Sequence, residues 1–239
     1  MNLTNNNARP LIFIGSNSHL CFFTDACELH GITVHGIIDS DYFGNTAELE
    51  CIPVIDTETV FDNPEKLNYY KNNFHFFLAT NWVADSDAFA VRNKHKRDRL
   101  IELIEKYNLP CINLVDPTAR IHKSVVLGKN IFIDAMCYIA PKSVIGDFTN
   151  LFTGAGIGYN NIIGRSCVFQ RHSGTMNDNV IEDEVYFGLH AQDSKGGLRI
   201  RKGTVIHPCL MIRRDTQENE VISLVGKDLR KVYQLHQEA

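Results

Sequence analysis

The sequence has no long apolar run and no basic excess, and both absences exclude classes of protein. No stretch approaches the roughly 18 apolar residues of a transmembrane helix. Residues 1–10 show neither the charged nor the apolar region of a secretory signal. We therefore expect a cytoplasmic protein with no membrane partner. The net charge of -4 argues against nucleic acid as a partner.

The cysteines form no recognisable set. The seven cysteines are odd in number, widely spaced and without a CxxC pair, so neither a disulfide framework nor a metal site is expected. One dense basic run occurs, at residues 94–97, within a predicted helix. We interpret this run as a solvated helix face in preference to a binding patch.

Apolar residues recur every six positions in the second half of the chain. Eleven of the following twelve positions are apolar, where chance gives about five or six. They are Ile121, Leu127, Ile133, Ile139, Ile145, Leu151, Ile157, Ile163, Phe169, Thr175, Ile181 and Phe187. The period breaks at residues 191–197, where we expect an inserted loop, and resumes out of step at Ile200, Ile206 and Ile212.

A six-residue period fits neither an α-helix nor a simple alternating strand. It is typical of a parallel β-helix, in which three short strands make one coil and stacked coils share a core. Small residues directly follow several of the apolar positions, as at Gly128, Gly146 and Gly158, and predict tight corners there.

The first half reads as an α/β unit. A strand at residues 10–15 enters a turn at Gly15, a helix follows at 19–30, and a strand at 32–39 ends in Asp39. This is the outline of a nucleotide-binding βαβ unit, but no GxGxxG is present, so a dinucleotide cofactor is not expected. We predict domains at residues 1–114 and 115–212, followed by a tail at 213–239.

The order of these segments resembles the hexapeptide-repeat sugar acetyltransferases of bacterial glycan assembly. This group contains bacillosamine and perosamine N-acetyltransferases and a sialic acid O-acetyltransferase. Five segments carry the resemblance along nearly the whole chain. They are IFIGSNSHL at 12–20, IIDSD at 37–41, IPVID at 52–56, VDPTARI at 115–121 and LFTGAGIGYNNIIG at 151–164.

The resemblance implies a Rossmann-like N-terminal domain that binds a nucleotide-linked sugar, and a left-handed parallel β-helix that forms a homotrimer. It implies that acetyl-CoA lies in the cleft between neighbouring β-helices. Carried over by motif, His19 and Asp39 contact the nucleotide sugar, while Gly15 and Ser16 permit its close approach. Ser40 replaces the acid that the family pairs with the first one.

The sequence departs from the family at the catalytic position. The family places a histidine there, which takes a proton from the sugar amine or hydroxyl, followed by an acid. Here these residues are Tyr159 and Asn160. A neutral tyrosine is a poor general base and asparagine carries no charge. One interpretation is a relocated base, and the alternative is an inactive trimer that binds sugar nucleotides.

His172 is the candidate for a relocated base, with Arg171 or Tyr159 holding the substrate. His190 falls one coil later and is a candidate contact for acetyl-CoA. The alternative is that both histidines are incidental surface residues. A metal site made of His172, His190 and Asp193 is less favoured, because no supporting ligands are evident.

Two further sets remain candidates. Lys195 and Gly196 lie in the predicted insertion, where they either contact the phosphates of acetyl-CoA or form an exposed flexible loop. Asn81, beside Trp82 at a predicted strand end, is a candidate substrate contact.

Overall fold

The computed structural model describes residues 9–16, 20–80 and 88–223, without the side chains of residues 88–93. His19, Asn81 and most of the tail lie outside the described residues. Of these, residues 9–16, 20–80 and 92–114 form one compact unit, and residues 88–91 and 115–223 form a second. No described helix is both long and apolar enough to cross a bilayer.

A five-stranded sheet is the centre of the first unit. Its strands are β1 (Leu11–Ile14), β2 (Val34–Ile38), β3 (Glu48–Leu49), β4 (Ile52–Asp56) and β5 (His75–Leu78). Their order is β3-β4-β2-β1-β5, and all neighbours pair in parallel except β3 with β4. The residues of β1 are fully buried, as expected for a parallel strand covered on both faces.

Helices connect these strands. They are α1 (Leu20–Leu29), a 3-10 helix (Glu58–Asp62), α2 (Pro64–Asn73) and α3 (Ala88–Lys106). Asn63 starts α2, since its side chain accepts the N–H groups of Glu65 and Lys66. Because α2 buries no residue, it has no apolar face that a sequence pattern could reveal.

Three parallel sheets form the second unit. Face 1 contains Leu114–Val115, Phe132–Ile133, Asn150–Leu151, Val168–Phe169, Tyr186–Phe187, Val205–Ile206 and Val221–Ile222. Face 2 contains Arg120–Ile121, Tyr138–Ile139, Gly156–Ile157, Gly174–Thr175, Gln192–Asp193 and Met211–Ile212. Face 3 contains Val126–Leu127, Val144–Ile145, Ile162–Ile163, Val180–Ile181 and Arg199–Ile200.

The chain visits faces 1, 2 and 3 in turn, so the predicted parallel β-helix is confirmed. The regular stacking fits a left-handed β-helix. The second residue of each strand points inward and builds one continuous core. Within it the rings of Phe169 and Phe187 stack with centroids 4.8 Å apart. The strand Val221–Ile222 continues face 1 beyond residue 212.

The corners differ from the predicted ones. The left-handed backbone falls three residues after an inward residue, as at Asn160, Ser166 and His172, and not directly after it. The glycines that directly follow inward residues serve another purpose, because they let neighbouring coils approach. A Cβ on Gly146 would lie 2.6 Å from the carbonyl carbon of Gly164.

The predicted insertion is smaller than a loop. Gly174 pairs with Gln192, whereas Val180 pairs with Arg199, so the coil gains a single residue between these two pairs. Gly197 takes up part of this change with a φ of 73°. The expected flexible loop is therefore a slightly enlarged corner, which explains the slip in the period.

Candidate functional site

The strand ends of the first unit carry a buried carboxylate. Gly15 follows β1 with a φ of 67°, and a Cβ there would lie 2.5 Å from Leu100 Cδ1. Next to it, the hydroxyl of Ser16 donates to Asp39 Oδ2 at 2.9 Å. Asp39 directly follows β2 and is completely buried. Two predicted site residues, Ser16 and Asp39, are thus in direct contact.

Lys96 from α3 neutralises this carboxylate. Its ammonium group donates to Asp39 Oδ1 at 2.9 Å, to Asp39 Oδ2 at 2.8 Å and to Asp41 at 2.8 Å. Burial lowers the pKa of Lys96, but the bonds to Asp39 and Asp41 outweigh it and raise the pKa above its ordinary value. Together with Ser16 and the N–H of Asp41, Lys96 therefore fills the four acceptor sites of Asp39 with four hydrogen bonds from three donor groups.

The interpretation of residues 94–97 as a solvated face is wrong for two of the four residues. The side chain of Lys96 is only 9% exposed, and Arg97 is 1% exposed and donates to the carbonyl of Thr80. A signal was present in the sequence. Lys96 and Arg97 precede the buried Leu100 and Ile101 by one helical turn, so they continue the inward side of α3.

Ser40 lies beside a second buried acid. Its N–H donates to Glu58 Oε2 at 2.9 Å, and Arg99 Nη2 lies 3.8 Å from Glu58 Oε1. Burial raises the pKa of Glu58, and the charge of Asp39 adds to this rise. Sequence reasoning missed Glu58 because it belongs to no strand end in the predicted pattern.

In the second unit, Tyr159 and Asn160 lie at the corner between faces 2 and 3. The N–H of Tyr159 donates to the Asn177 side chain at 2.9 Å, and the Asn160 amide donates to Asp178 at 2.8 Å. Lys142, one coil earlier in the same corner, holds its ammonium group 5.3 Å from the centre of the Tyr159 ring. The side chain of Tyr159 is 37% exposed, so this corner is open to ligands.

Lys195 and Gly196 belong to the same corner. The N–H of Gly197 donates to the Asn177 carbonyl at 2.9 Å. One coil earlier, the N–H of Asp178 donates to the Tyr159 carbonyl in the same way. Lys195 is exposed. The structure therefore brings the predicted cofactor contacts Lys195 and Gly196 into the corner that holds the predicted catalytic position.

His172 and His190 lie at a different corner, between faces 1 and 2. Their rings stack with centroids 5.2 Å apart and an angle of 11° between the planes. Both residues are exposed and have a φ of 55°. Face 2 separates His172 from Tyr159 within one chain, so the two predicted catalytic residues do not share a corner.

Asp193 points into the β-helix and not toward the histidines. It accepts the N–H of Met176 at 2.5 Å and the amide of Asn179 at 2.9 Å. The alternative metal site of His172, His190 and Asp193 is therefore not brought together. More broadly, the described residues contain no group of three or more His, Cys, Asp or Glu side chains that could hold a metal ion.

Known structures resemble this chain over most of its length. Neither a family model nor a curated protein matches the sequence. A variant of perosamine N-acetyltransferase from Caulobacter crescentus, solved with CoA and GDP-perosamine, is 20% identical with a TM-score of 0.74, covering 89% of this chain and 92% of that one. The acetyltransferase domain of PglB from Neisseria gonorrhoeae, solved with acetyl coenzyme A, is 16% identical with a TM-score of 0.74, covering 90% and 96%.

WeeI from Acinetobacter baumannii is similar to the same extent, at 17% identity and a TM-score of 0.71, covering 89% of this chain and 95% of that one. At such identities the likeness concerns the fold. The chain therefore has the fold of the perosamine N-acetyltransferase and of the PglB acetyltransferase domain.

Proposed function

We propose that the protein transfers an acetyl group from acetyl-CoA to an amino or hydroxyl group of a nucleotide-linked sugar, as used in bacterial surface glycans. One observation carries the proposal. A single chain combines a parallel sheet that ends in a buried carboxylate with a three-faced β-helix. Structures of the same fold were solved with CoA, with GDP-perosamine or with acetyl coenzyme A.

We propose residues 1–114 as a Rossmann-like domain for the nucleotide sugar. The strand order reverses beside β1, and ligands of such sheets bind at the carboxyl ends of the strands near that point. Gly15, Ser16 and Ser40 lie there, and His19 and Asn81 are further proposed contacts outside the described residues. Because Asp39 already accepts four hydrogen bonds, its role is to orient Ser16 and the turn at Ser40.

We propose residues 115–212 as the acetyltransferase domain of a homotrimer. Residues 213–239 are the proposed tail, of which the strand Val221–Ile222 extends face 1 of the β-helix. Threefold assembly uses heterologous contacts, in which different surfaces of two chains meet. A cleft between two β-helices can then combine unlike corners. This supports a shared site in which Tyr159, Asn160, Lys195 and Gly196 come from one chain, and His172 and His190 from its neighbour.

In this reaction the sugar nitrogen or oxygen attacks the thioester carbon, the new bond forms, and the C–S bond to CoA breaks. The nucleophile loses a proton, which finally protonates the released thiolate. His172 is the proposed acceptor of that proton, because an imidazole titrates near neutral pH whereas a neutral phenol does not.

The test is a turnover assay with acetyl-CoA and a panel of UDP-, GDP- and dTDP-linked amino sugars. Released thiol is measured, and mass spectrometry confirms the acetylated sugar, because exposed cysteines of the protein also react with thiol reagents. Turnover with at least one sugar supports the proposal, and its loss in His172→Ala supports a relocated base. Binding of sugar nucleotide without turnover supports the inactive alternative instead.

A further inference from the structure

The corner between faces 2 and 3 carries a cation where the resembled enzymes place a histidine and an acid. Lys142 occupies the corner position one coil before Asn160, where it is exposed and has a left-handed φ of 63°. Its ammonium group lies over the Tyr159 ring, 5.3 Å from the centre. The phenol and the ammonium group are both hydrogen-bond donors, and both are accessible from solvent.

We propose that Lys142 and Tyr159 together stabilise the negative charge that develops on the thioester oxygen during acetyl transfer. This inference rests on the proposed function and adds Lys142 as a catalytic residue. As the nucleophile attacks, the carbonyl π electrons move onto oxygen, and they return when the C–S bond breaks. Donors aimed at that oxygen accelerate the reaction without removing any proton.

The electrostatics of the pair are consistent with this role. A hydrogen bond from the ammonium group to the Tyr159 side chain raises the pKa of Lys142 above its ordinary value. Lys142 therefore stays protonated at the pH at which a sugar amine is free to attack. The N–H of Tyr159 donates to Asn177 Oδ1 at 2.9 Å, which holds the backbone that carries the phenol side chain.

The chain offers a matched control at another corner. Lys129 holds its ammonium group 5.7 Å from the centre of the Phe148 ring, in the corner between faces 3 and 1. This pair has the same cation and a similar ring, but no hydroxyl group. Lys129→Gln removes a comparable contact of a lysine with an aromatic ring and leaves the proposed site intact.

The experiment compares steady-state kinetics of the full chain and its variants with acetyl-CoA and the accepted sugar. We expect Lys142→Gln to lower kcat by about 10- to 100-fold, with the KM for acetyl-CoA changed by less than about twofold. Lys142→Arg should recover most of kcat, because it restores a charged donor. Lys129→Gln should behave as the wild type.

A double-mutant cycle with Tyr159→Phe distinguishes the pair from two separate effects. If the donors act together, the two losses in kcat are not additive. Unchanged kcat in Lys142→Gln, with an active wild type, overturns this inference alone. A wild type that neither turns over nor binds acetyl-CoA overturns the proposed function, and this inference with it.

Discussion

The ammonium nitrogen of Lys96 lies 2.8 Å from Asp39 Oδ2, although the two residues are 57 positions apart in the sequence. Asp39 is fully buried and the side chain of Lys96 is 9% exposed. The ion pair ties α3 to the end of β2, at the edge where we propose that the nucleotide sugar binds. The pair therefore links the stability of the first unit to the geometry of its binding edge.

Lys96→Met should destabilise the first unit strongly. The change leaves Asp39 buried without its cation, and removing one partner of a buried ion pair costs about 3 to 5 kcal/mol. The measurement is the urea midpoint of unfolding, with hydrogen exchange of the β1 and β2 amides to locate the effect. Unchanged protection of these amides would contradict the prediction.

Lys94→Met is the matched control for this change. Lys94 pairs with Asp98 one helical turn away, and both side chains are about one third or more exposed. An exposed pair of this kind contributes about 0.3 to 0.5 kcal/mol, so the urea midpoint should barely move.

The β-helix was predictable because the apolar side chains that form its core recur every six residues. The corner geometry was not predictable in the same way, because residues as different as Met136, Phe148 and His172 adopt the left-handed backbone. There the stacked coils impose the conformation, and local propensity does not.

The candidate site was predictable only in part. Ser16 and Asp39 follow strands, so strand ends indicated them. Lys96 and Glu58 reach the same edge from a helix and a 3-10 helix, and only the fold reveals that they meet. In contrast, counting in the sequence already separates Tyr159 from His172. The inward residues before them, Ile157 and Phe169, are 12 positions apart, which is two of the three faces of a coil.

Gly154→Ala should disturb the histidine pair. Gly154 has a φ of 71°, and a Cβ there would lie 2.5 Å from His172 Nδ1. The left-handed backbone costs an alanine about 1 to 2 kcal/mol, and the His172 ring must also move away from His190. We expect a lower melting temperature and altered NMR shifts of the two imidazoles.

Gly156→Ala is the control for this change, since a Cβ at Gly156 meets nothing within 4 Å. Its stability should stay within about 0.5 kcal/mol of the wild type. Equal melting temperatures for the Gly154 and Gly156 variants would show that the corner tolerates a side chain at Gly154.

Asp193→Asn should change the pH dependence of stability. Burial raises the pKa of the Asp193 carboxyl above its ordinary value of 3.8, although the hydrogen bonds from Met176 and Asn179 oppose this rise. The folded protein then holds a proton that the unfolded chain releases. The free energy of unfolding that this proton adds is thus fully present below pH 3.8, and it is lost as the pH rises through the raised pKa.

The amide in the variant does not titrate. Relative to wild type, Asp193→Asn should therefore gain stability as the pH rises across this interval, measured as urea midpoints from about pH 3.5 to pH 7. Asp178→Asn, an exposed aspartate of the neighbouring coil, controls for the loss of one negative charge. If the difference in urea midpoint between Asp193→Asn and the wild type stays constant with pH, or falls as the pH rises, Asp193 does not have a raised pKa in the folded protein.

Tyr159→His tests whether the corner can support the chemistry of the resembled enzymes. The imidazole would restore a base that titrates near neutral pH, but the change also removes the phenol that acts with Lys142. Turnover at neutral pH should therefore increase if proton removal limits the reaction more than charge stabilisation does. The change alone lacks the acid that follows the histidine in that family. Adding Asn160→Asp should fail to help, because the Asn160 amide lies 2.8 Å from Asp178 Oδ1 and a second carboxylate there meets the first.

The triple variant with Asp178→Asn removes this repulsion and restores a donor opposite the new carboxylate. We therefore expect kcat to rank the triple variant above Tyr159→His, and Tyr159→His above the variant that combines it with Asn160→Asp alone. Asn160 and Asp178 share the left-handed backbone, which asparagine and aspartate both tolerate, so the exchange preserves the corner. If all three variants are slower than the wild type, the loss of the Tyr159 phenol outweighs the gain of a base, and charge stabilisation by Lys142 and Tyr159 carries the larger share of catalysis.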